Sequence, residues 1–415
     1  MPSAGSGSLE SLRERNRRQL IDTLRQRGSA SRAELARLTG LSRSTVSTLI
    51  ADLQAGGLVA EREREREPRD EPEARAPQGR PPTLLTLDRS AGLVLGVDFG
   101  HEHVHVAIAD LSRTILAERV QPVDVDQSAA RALDVAIELA DEVVTEADVD
   151  GDRILGAGVG LSGPIDIEAG TVHAGKILPS WAGVHPVEEL AARLGVPVHL
   201  DNDANLGALA EVTLGAGIGA RDAIYLMVSG GIGAGLILGG ELYRGAGGTA
   251  GELGHVLVDE SGPICRCGNR GCLEMMAGGR AILELLRRSH GDDLTIDEVM
   301  ALSDEGDSGA RRAIADAGRI LGRSVAAIVN AFNPELVVVG GRVSAAGDVL
   351  LDPLREAVHR YAIPSAAQDV RITHGVLGDR AEVLGALELA ARQSDVAAPV
   401  ASPTVRRPRS GKAVT

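Results

Sequence analysis

The chain has 415 residues and a formal net charge of −15, which excludes a surface given over to polyanions. At about 150 residues per domain it has room for two or three cored domains. Three cysteines cannot form a disulfide framework, and no apolar run approaches the ~18 residues that span a bilayer. The polar, arginine-bearing start lacks an apolar signal segment, so a cytoplasmic protein without a membrane partner is expected.

Charge is spread unevenly. Residues 1–60 carry nine arginines against five acidic residues, a basic head on an acidic body that suggests one nucleic-acid-facing module. Leu9, Leu12, Leu20, Ile21 and Leu24 recur at helical spacing and Gly28 ends that helix. Ser31 and Glu34 form a capping-box pattern for a second, short helix whose inner face is read as Ala33, Ala36 and Leu38. A turn through Gly40 leads to Ser42, which caps a third helix. In that helix Val46, Leu49, Ile50 and Leu53 face inward, leaving Arg43, Ser44, Thr45, Ser47 and Thr48 outside. Helix, glycine turn and polar-faced second helix make a helix-turn-helix, and these five residues are the candidates for base or phosphate contacts. Leu58-Val59 and Leu84–Leu87 are expected to pair as a wing around the charged, proline-containing loop at about 61–80, which cannot fold alone. Arg80 lies where an arginine could enter a minor groove. The expected DNA-binding domain is therefore residues 1–88.

From Leu93 the pattern turns to strands: "LVLGVDFG", "HVHVAIAD" and "ILAERVQPV", then a helix across about 127–147 and the strand "ILGAGVGLSGP". A helix near 187–194, the segment "VPVHLDND" and a helix from about 204 follow. A second series begins with "AIYLMVSGGIGAGLILGGELYRG" and continues through helices at about 277–289 and 308–331 to the strand "LVVVGG". Two strand-rich halves interleaved with helices predict an α/β body of two similar lobes over 89–395, followed by a solvated tail at 396–415. His101, His103 and His105 are expected to share one strand face, as satisfied or solvated side chains and not as metal ligands.

Cys265, Cys267 and Cys272 all fall within the eight residues "CRCGNRGC". Glycines at 268 and 271 let such a loop turn tightly enough to aim its thiols inward. Three thiolates and one imidazole complete a tetrahedral zinc shell, and four protein ligands make the zinc structural. His255, ten residues upstream, is the nearest imidazole, although His290 lies downstream.

With "GGTAGELGH", "LDNDANLGALAE", "CRCGNRGCLE" and "NPELVVVGG" in that order, residues 90–395 resemble the ROK family of repressors, open reading frames and sugar kinases. The N-terminal module followed by "GRPP" resembles the winged-helix head of its repressor branch. The resemblance implies an actin/hexokinase-like (ribonuclease H-like ATPase) body with a sugar held between its lobes. It assigns sugar contacts to Asn202 and Asp203 of "NDAN", Glu252 and His255 of "ExGH", Glu274 of "CLE" and Gly163 of "LSGP". His255 would bind zinc through one ring nitrogen and the sugar through the other, so the metal orients a sugar-reading side chain. In active kinases Asp203 would be the base for the attacking hydroxyl.

The nucleotide half departs from that pattern. Where active relatives show D-x-G-G-T, this chain reads "DFGHEH", so His101 and Glu102 replace glycine and threonine. A carboxylate there repels a phosphate by about 4 kcal/mol per charge pair at 4 Å and a dielectric near 20. In the second loop Gly230 stands where threonine would be, beside Ser229. An intact sugar half beside a defective nucleotide half predicts a sensor: a sugar-responsive repressor, homodimeric or homotetrameric on operator DNA, using zinc and not ATP or magnesium. The alternative is an ATP-dependent, glucokinase-like enzyme with an appended DNA-binding head.

Overall fold

The computed structural model describes residues 9–62, 83–88, 91–172 and 177–394. Arg80, most of the charged loop and the tail from 396 lie outside them.

The head begins with helix α1 (Leu9–Arg27), then strand β1 (Ser29–Ser31), α2 (Arg32–Thr39), α3 (Arg43–Ala55), β2 (Val59–Arg62) and β3 (Leu84–Leu87). The capping box forms: the Ser31 hydroxyl accepts from Glu34 N, and the Glu34 carboxylate accepts from Ser31 N. Gly40 ends α2 in the left-handed region at φ 70°, and Ser42 accepts from Thr45 N to start α3. β2 pairs antiparallel with β3, and the unforeseen β1 adds to the other side of β3. The inner face of α2 is Leu35, which is fully buried, and not Ala33 or Leu38, which are exposed. In so short a helix the one large apolar side chain recovers more burial energy than two alanines do. Leu12 is also exposed, whereas Leu20, Ile21 and Leu24 are buried.

The first lobe holds β4 (Leu93–Phe99), β5 (His103–Asp110), β6 (Ile115–Pro122), α4 (Ala129–Glu146), β7 (Ile154–Leu161), the small hairpin β8 (Ile165–Asp166) and β9 (Thr171–Val172), α5 (Pro186–Leu194) and β10 (Val198–Asn202). Its sheet runs β10-β7-β4-β5-β6, with β5 antiparallel to β4 and β6, and β7 parallel to β4 and β10. After α6 (Asp203–Leu214) the second lobe repeats the plan with β11 (Ala223–Val228), β12 (Ile232–Leu238) and β13 (Glu241–Tyr243). It continues through α7 (Leu273–Ala277), α8 (Gly279–His290), α9 (Ile296–Asp304), α10 (Ser308–Phe332), β14 (Leu336–Gly340), α11 (Asp348–Tyr361), α12 (Pro364–Asp369) and β15 (Arg371–His374). This sheet runs β13-β12-β11-β14-β15, again an antiparallel meander on one side of its first strand and parallel strands on the other. The two similar lobes thus share one topology.

Helix α13 (Ala381–Gln393) returns to the first lobe and packs on α6, β4 and β7. The contact is backbone-close: a Cβ at Gly385 would lie 2.0 Å from the Leu206 carbonyl. The winged helix also joins this layer. Leu20, Leu24, Leu85 and Leu87 of the head share a buried cluster with Val94, Ala107, Leu111, Leu384 and Leu387 of the body. Among the described residues, no helix is long and apolar enough to cross a membrane. His101 precedes β5, so only His103 and His105 share a strand face.

A carboxylate-lined cleft, a thiol cluster and a winged helix

The cysteine loop folds back on the short helical turn Leu253–His255. His255, Cys265, Cys267 and Cys272 place their ligand atoms within 4.8 Å of one another. Cys267 Sγ lies 3.7 Å from Cys272 Sγ, and Cys265 Sγ lies 3.5 Å from His255 Nδ1. A tetrahedron of zinc bonds of about 2.3 Å to sulfur and 2.0 Å to nitrogen has edges of about 3.8 and 3.5 Å, so the donor set fits that ion. Burial pushes the Cys265 and Cys272 thiols up, away from ionisation; a divalent cation is the partner that makes thiolates favourable there. His290 stands apart, against Ser289 and Asp307. Of the two imidazoles that the sequence offers, His255 is the one the fold brings to the thiols.

Beside this cluster a cleft open to solvent is lined by all six residues that the family resemblance singled out: Gly163, Asn202, Asp203, Glu252, His255 and Glu274. Asn202 ends β10 and caps α6, its side-chain oxygen accepting from Ala204 N and Asn205 N while Nδ2 donates to the Gly163 carbonyl at 3.0 Å. Capping is therefore part of its role, as its place before a helix suggests. Asp203 accepts from the Ser162 hydroxyl at 2.5 Å and from Ala204 N. Burial nonetheless pushes its carboxyl up. Burial, with Asp203 and Glu274 nearby, pushes Glu252 up to about 7. His255 turns Nδ1 to the thiols and Nε2 towards Glu252, 3.8 Å away. Cys265 Sγ lies 3.0 Å from Glu274 Oε1, so the cluster and the cleft share a wall. Three carboxylates, an amide and an imidazole converging on one space suit a ligand rich in hydroxyl donors. Ser162, His101 and Arg266 line the same cleft. Ser162 lies inside "LSGP" and Arg266 inside "CRC", stretches whose sequence signal is carried by the glycine and the cysteines.

The nucleotide side is filled differently from expectation. His101 does not cover Gly100; its Nδ1 bonds Asp126 Oδ1 at 2.6 Å. His103 covers it instead. A Cβ at Gly100 would lie 2.3 Å from the His103 ring, whose Nε2 is 3.1 Å from Asp98 Oδ2. Strand alternation explains the change, because His103 is the first β5 residue to point back over β4. Glu102 is exposed and meets Arg342 of the second lobe at 3.4 Å. The Ser229 hydroxyl accepts from Arg342 N, and the Gly230 carbonyl accepts from Arg280 N.

On the head, Arg43, Ser44, Ser47 and Thr48 of α3 are exposed and Thr45 is half-buried. Ser42 bonds the hydroxyls of Ser44 and Thr45 at 2.8 Å each, so Thr45 stiffens the helix start.

A winged helix set on two topologically matched sheets, with a polar cleft and a thiol cluster at its wall, defines a regulator-type architecture on an actin/hexokinase-like body. The chain belongs to the ROK family, whose model matches residues 94–393; a MarR family model matches residues 15–71. It is 32% identical over 391 residues to a putative xylose repressor of Caldicellulosiruptor sp. (strain Rt8B.4), covering 91% of this chain and 96% of that one. A crystal structure described as a ROK family transcriptional regulator, homolog of E. coli MLC protein, matches with TM-score 0.73 at 25% identity, over 92% and 97% of the two chains. A ROK family glucokinase from Streptomyces griseus, solved with glucose and AMPPNP, matches with TM-score 0.64 at 29% identity, over 72% of this chain and 99% of that one.

Proposed function

We propose that this chain is a sugar-responsive transcriptional repressor whose body binds an effector sugar and has lost kinase activity. One observation carries the reading: six polar and backbone groups converge on an open cleft, while the loop that would take phosphates is occupied by the His103 ring on Gly100 and Asp98. Gly163, Asn202, Asp203, Glu252, His255 and Glu274 bind the sugar. Arg43, Ser44, Thr45, Ser47 and Thr48 face operator DNA, and Arg80, outside the described residues, is assigned a DNA contact from its sequence alone. The similarity to regulators along nearly the whole chain supports this assignment, and a homodimer or homotetramer would present paired recognition helices.

His255, Cys265, Cys267 and Cys272 hold a structural zinc. When bound, the ion supplies a fixed positive charge that keeps the thiols ionised and the loop folded. His255 is then oriented by its Nδ1 and presents Nε2 to the cleft. Sugar hydroxyls donate to Asp203 and Glu274 and accept from Asn202 or His255, which draws the lobes together.

The test is a thermal-shift panel on the full chain, with D-xylose placed first because a similar protein is named for it, and D-glucose beside it. A sugar at 100 times its Kd adds about 2.7 kcal/mol. The shift is expected to disappear in Asp203→Asn and in metal-stripped Cys272→Ser, with no ATP consumption in a coupled assay. ATP turnover that depends on Asp203 would instead establish the kinase.

A further inference from the structure

Arg113, in the turn between β5 and β6, holds a left-handed backbone at φ 70°, a conformation that arginine adopts only where its surroundings impose it. Its guanidinium grips the buried Glu388 of α13 with both arms of the fork, Nε to Oε2 at 2.9 Å and Nη2 to Oε1 at 3.0 Å. Nη2 also donates to the backbone carbonyl of Arg25 in the last turn of α1. Gly28, which ends α1 at φ 72°, makes room for this contact: a Cβ there would lie 2.6 Å from Arg113 Nη1. On the far side, Glu388 Oε1 accepts from Arg392 Nε at 2.8 Å, and Arg392 Nη2 donates to Thr213 Oγ1 at 3.2 Å. Thr213 lies in the last turn of α6, the helix whose N-terminus carries Asn202 and Asp203.

We propose that Arg113 is the positioning residue that ties the pose of the DNA-reading head to the cleft. The polar chain Thr213, Arg392, Glu388, Arg113, Arg25 carbonyl joins α6 to α1 through groups that are directional and largely buried. Apolar contacts in the same layer tolerate small slides, whereas a bidentate guanidinium–carboxylate pair fixes an angle. Movement of α6 when the cleft closes therefore reaches the last turn of α1 at Arg25, three residues before Gly28 admits the turn into the winged helix. The inference deepens the repressor reading and rests on it.

The experiment uses the full chain with Arg113→Lys, Glu388→Gln and the double variant. The DNA probe is a duplex that the wild type selects from a random library, and the sugar probes are D-xylose and D-glucose. Arg113→Lys keeps the charge but lacks the fork. Hydrogen exchange at residues 24–28 is expected to rise about tenfold and duplex affinity to fall about tenfold, within the usual span of allosteric coupling. The thermal response of the cleft to sugar stays as in wild type, and the double variant falls no further than the weaker single one. Glu388→Gln supplies the same readouts if Arg113→Lys does not fold. Duplex affinity and local exchange within twofold of wild type would overturn the proposal, as would an exchange increase spread evenly over the molecule. If the wild type itself answers neither sugar, the effector reading fails, while exchange and duplex binding still decide the role of Arg113.

Discussion

His103 shows how one side chain can redirect a site. Asp98 is buried in β4, and its Oδ1 has no hydrogen-bond partner among the described residues; the carboxylate depends on the His103 contact at Oδ2. Burial opposes charge on this imidazole, but the hydrogen bond and charge of Asp98 outweigh it and raise its pKa above the ordinary 6.5. A group whose folded pKa is raised contributes stability in full below its unfolded value, and loses it as pH rises through the folded value. Urea unfolding of wild type and His103→Gln is therefore expected to differ most near pH 6 and to converge on the alkaline side. His105 is pushed the other way by burial and, to a smaller extent, by the charge of His103, so the variant relieves part of that push and the gap at acid pH narrows accordingly. A gap that is flat with pH, or that widens towards alkali, would show that the ring is neutral and that Asp98 is held by other means.

Among the elements, α3 carries the sharpest expectation. Arg43 is its first residue, exposed and next to the Ser42 cap, so its guanidinium is free to reach a groove or a phosphate. Arg43→Ala is expected to cost about 1–3 kcal/mol of operator affinity with relaxed sequence preference if it reads a base, or to lower the salt slope by about 1 if it meets a phosphate. Fluorescence anisotropy titrations at several salt concentrations separate the two, and an unchanged isotherm would remove Arg43 from the interface. This element was readable because its cap, turn and polar face lie within a dozen residues. The thiol loop and the "NDAN" and "ExGH" stretches were readable for the same reason, being contiguous in sequence. Helix α13 was not: Ala381, Val383, Leu384, Ala386, Leu387, Leu389 and Ala390 are buried around its whole circumference, so no amphipathic period marks it. Nor was the Arg113–Glu388 pair, whose members stand 275 positions apart. His103 stands in "DFGHEH", but as the first residue of β5 it covers Gly100 only through the pairing of β5 with β4, which no local spacing encodes.

At the scale of the molecule, a charged loop next to a basic head suggests a winged helix on a tether. The buried layer says otherwise. Leu20, Leu24, Leu85 and Leu87 pack with Val94, Leu111, Leu384 and Leu387 in one cluster, and the Arg113 fork crosses the same boundary. Head and first lobe should then melt as one cooperative unit, because opening either exposes apolar surface on both. Leu24 is fully buried, and truncating such a leucine costs about 2–5 kcal/mol. Leu24→Ala is accordingly expected to lower the main calorimetric transition of the full chain, the one that also reports unfolding of the β4–β7 sheet by hydrogen exchange. A tethered head would behave differently. It would release a separate, smaller transition that moves with Leu24→Ala while the main one stays in place, and the coupling through Arg113 would then have no common core to act within.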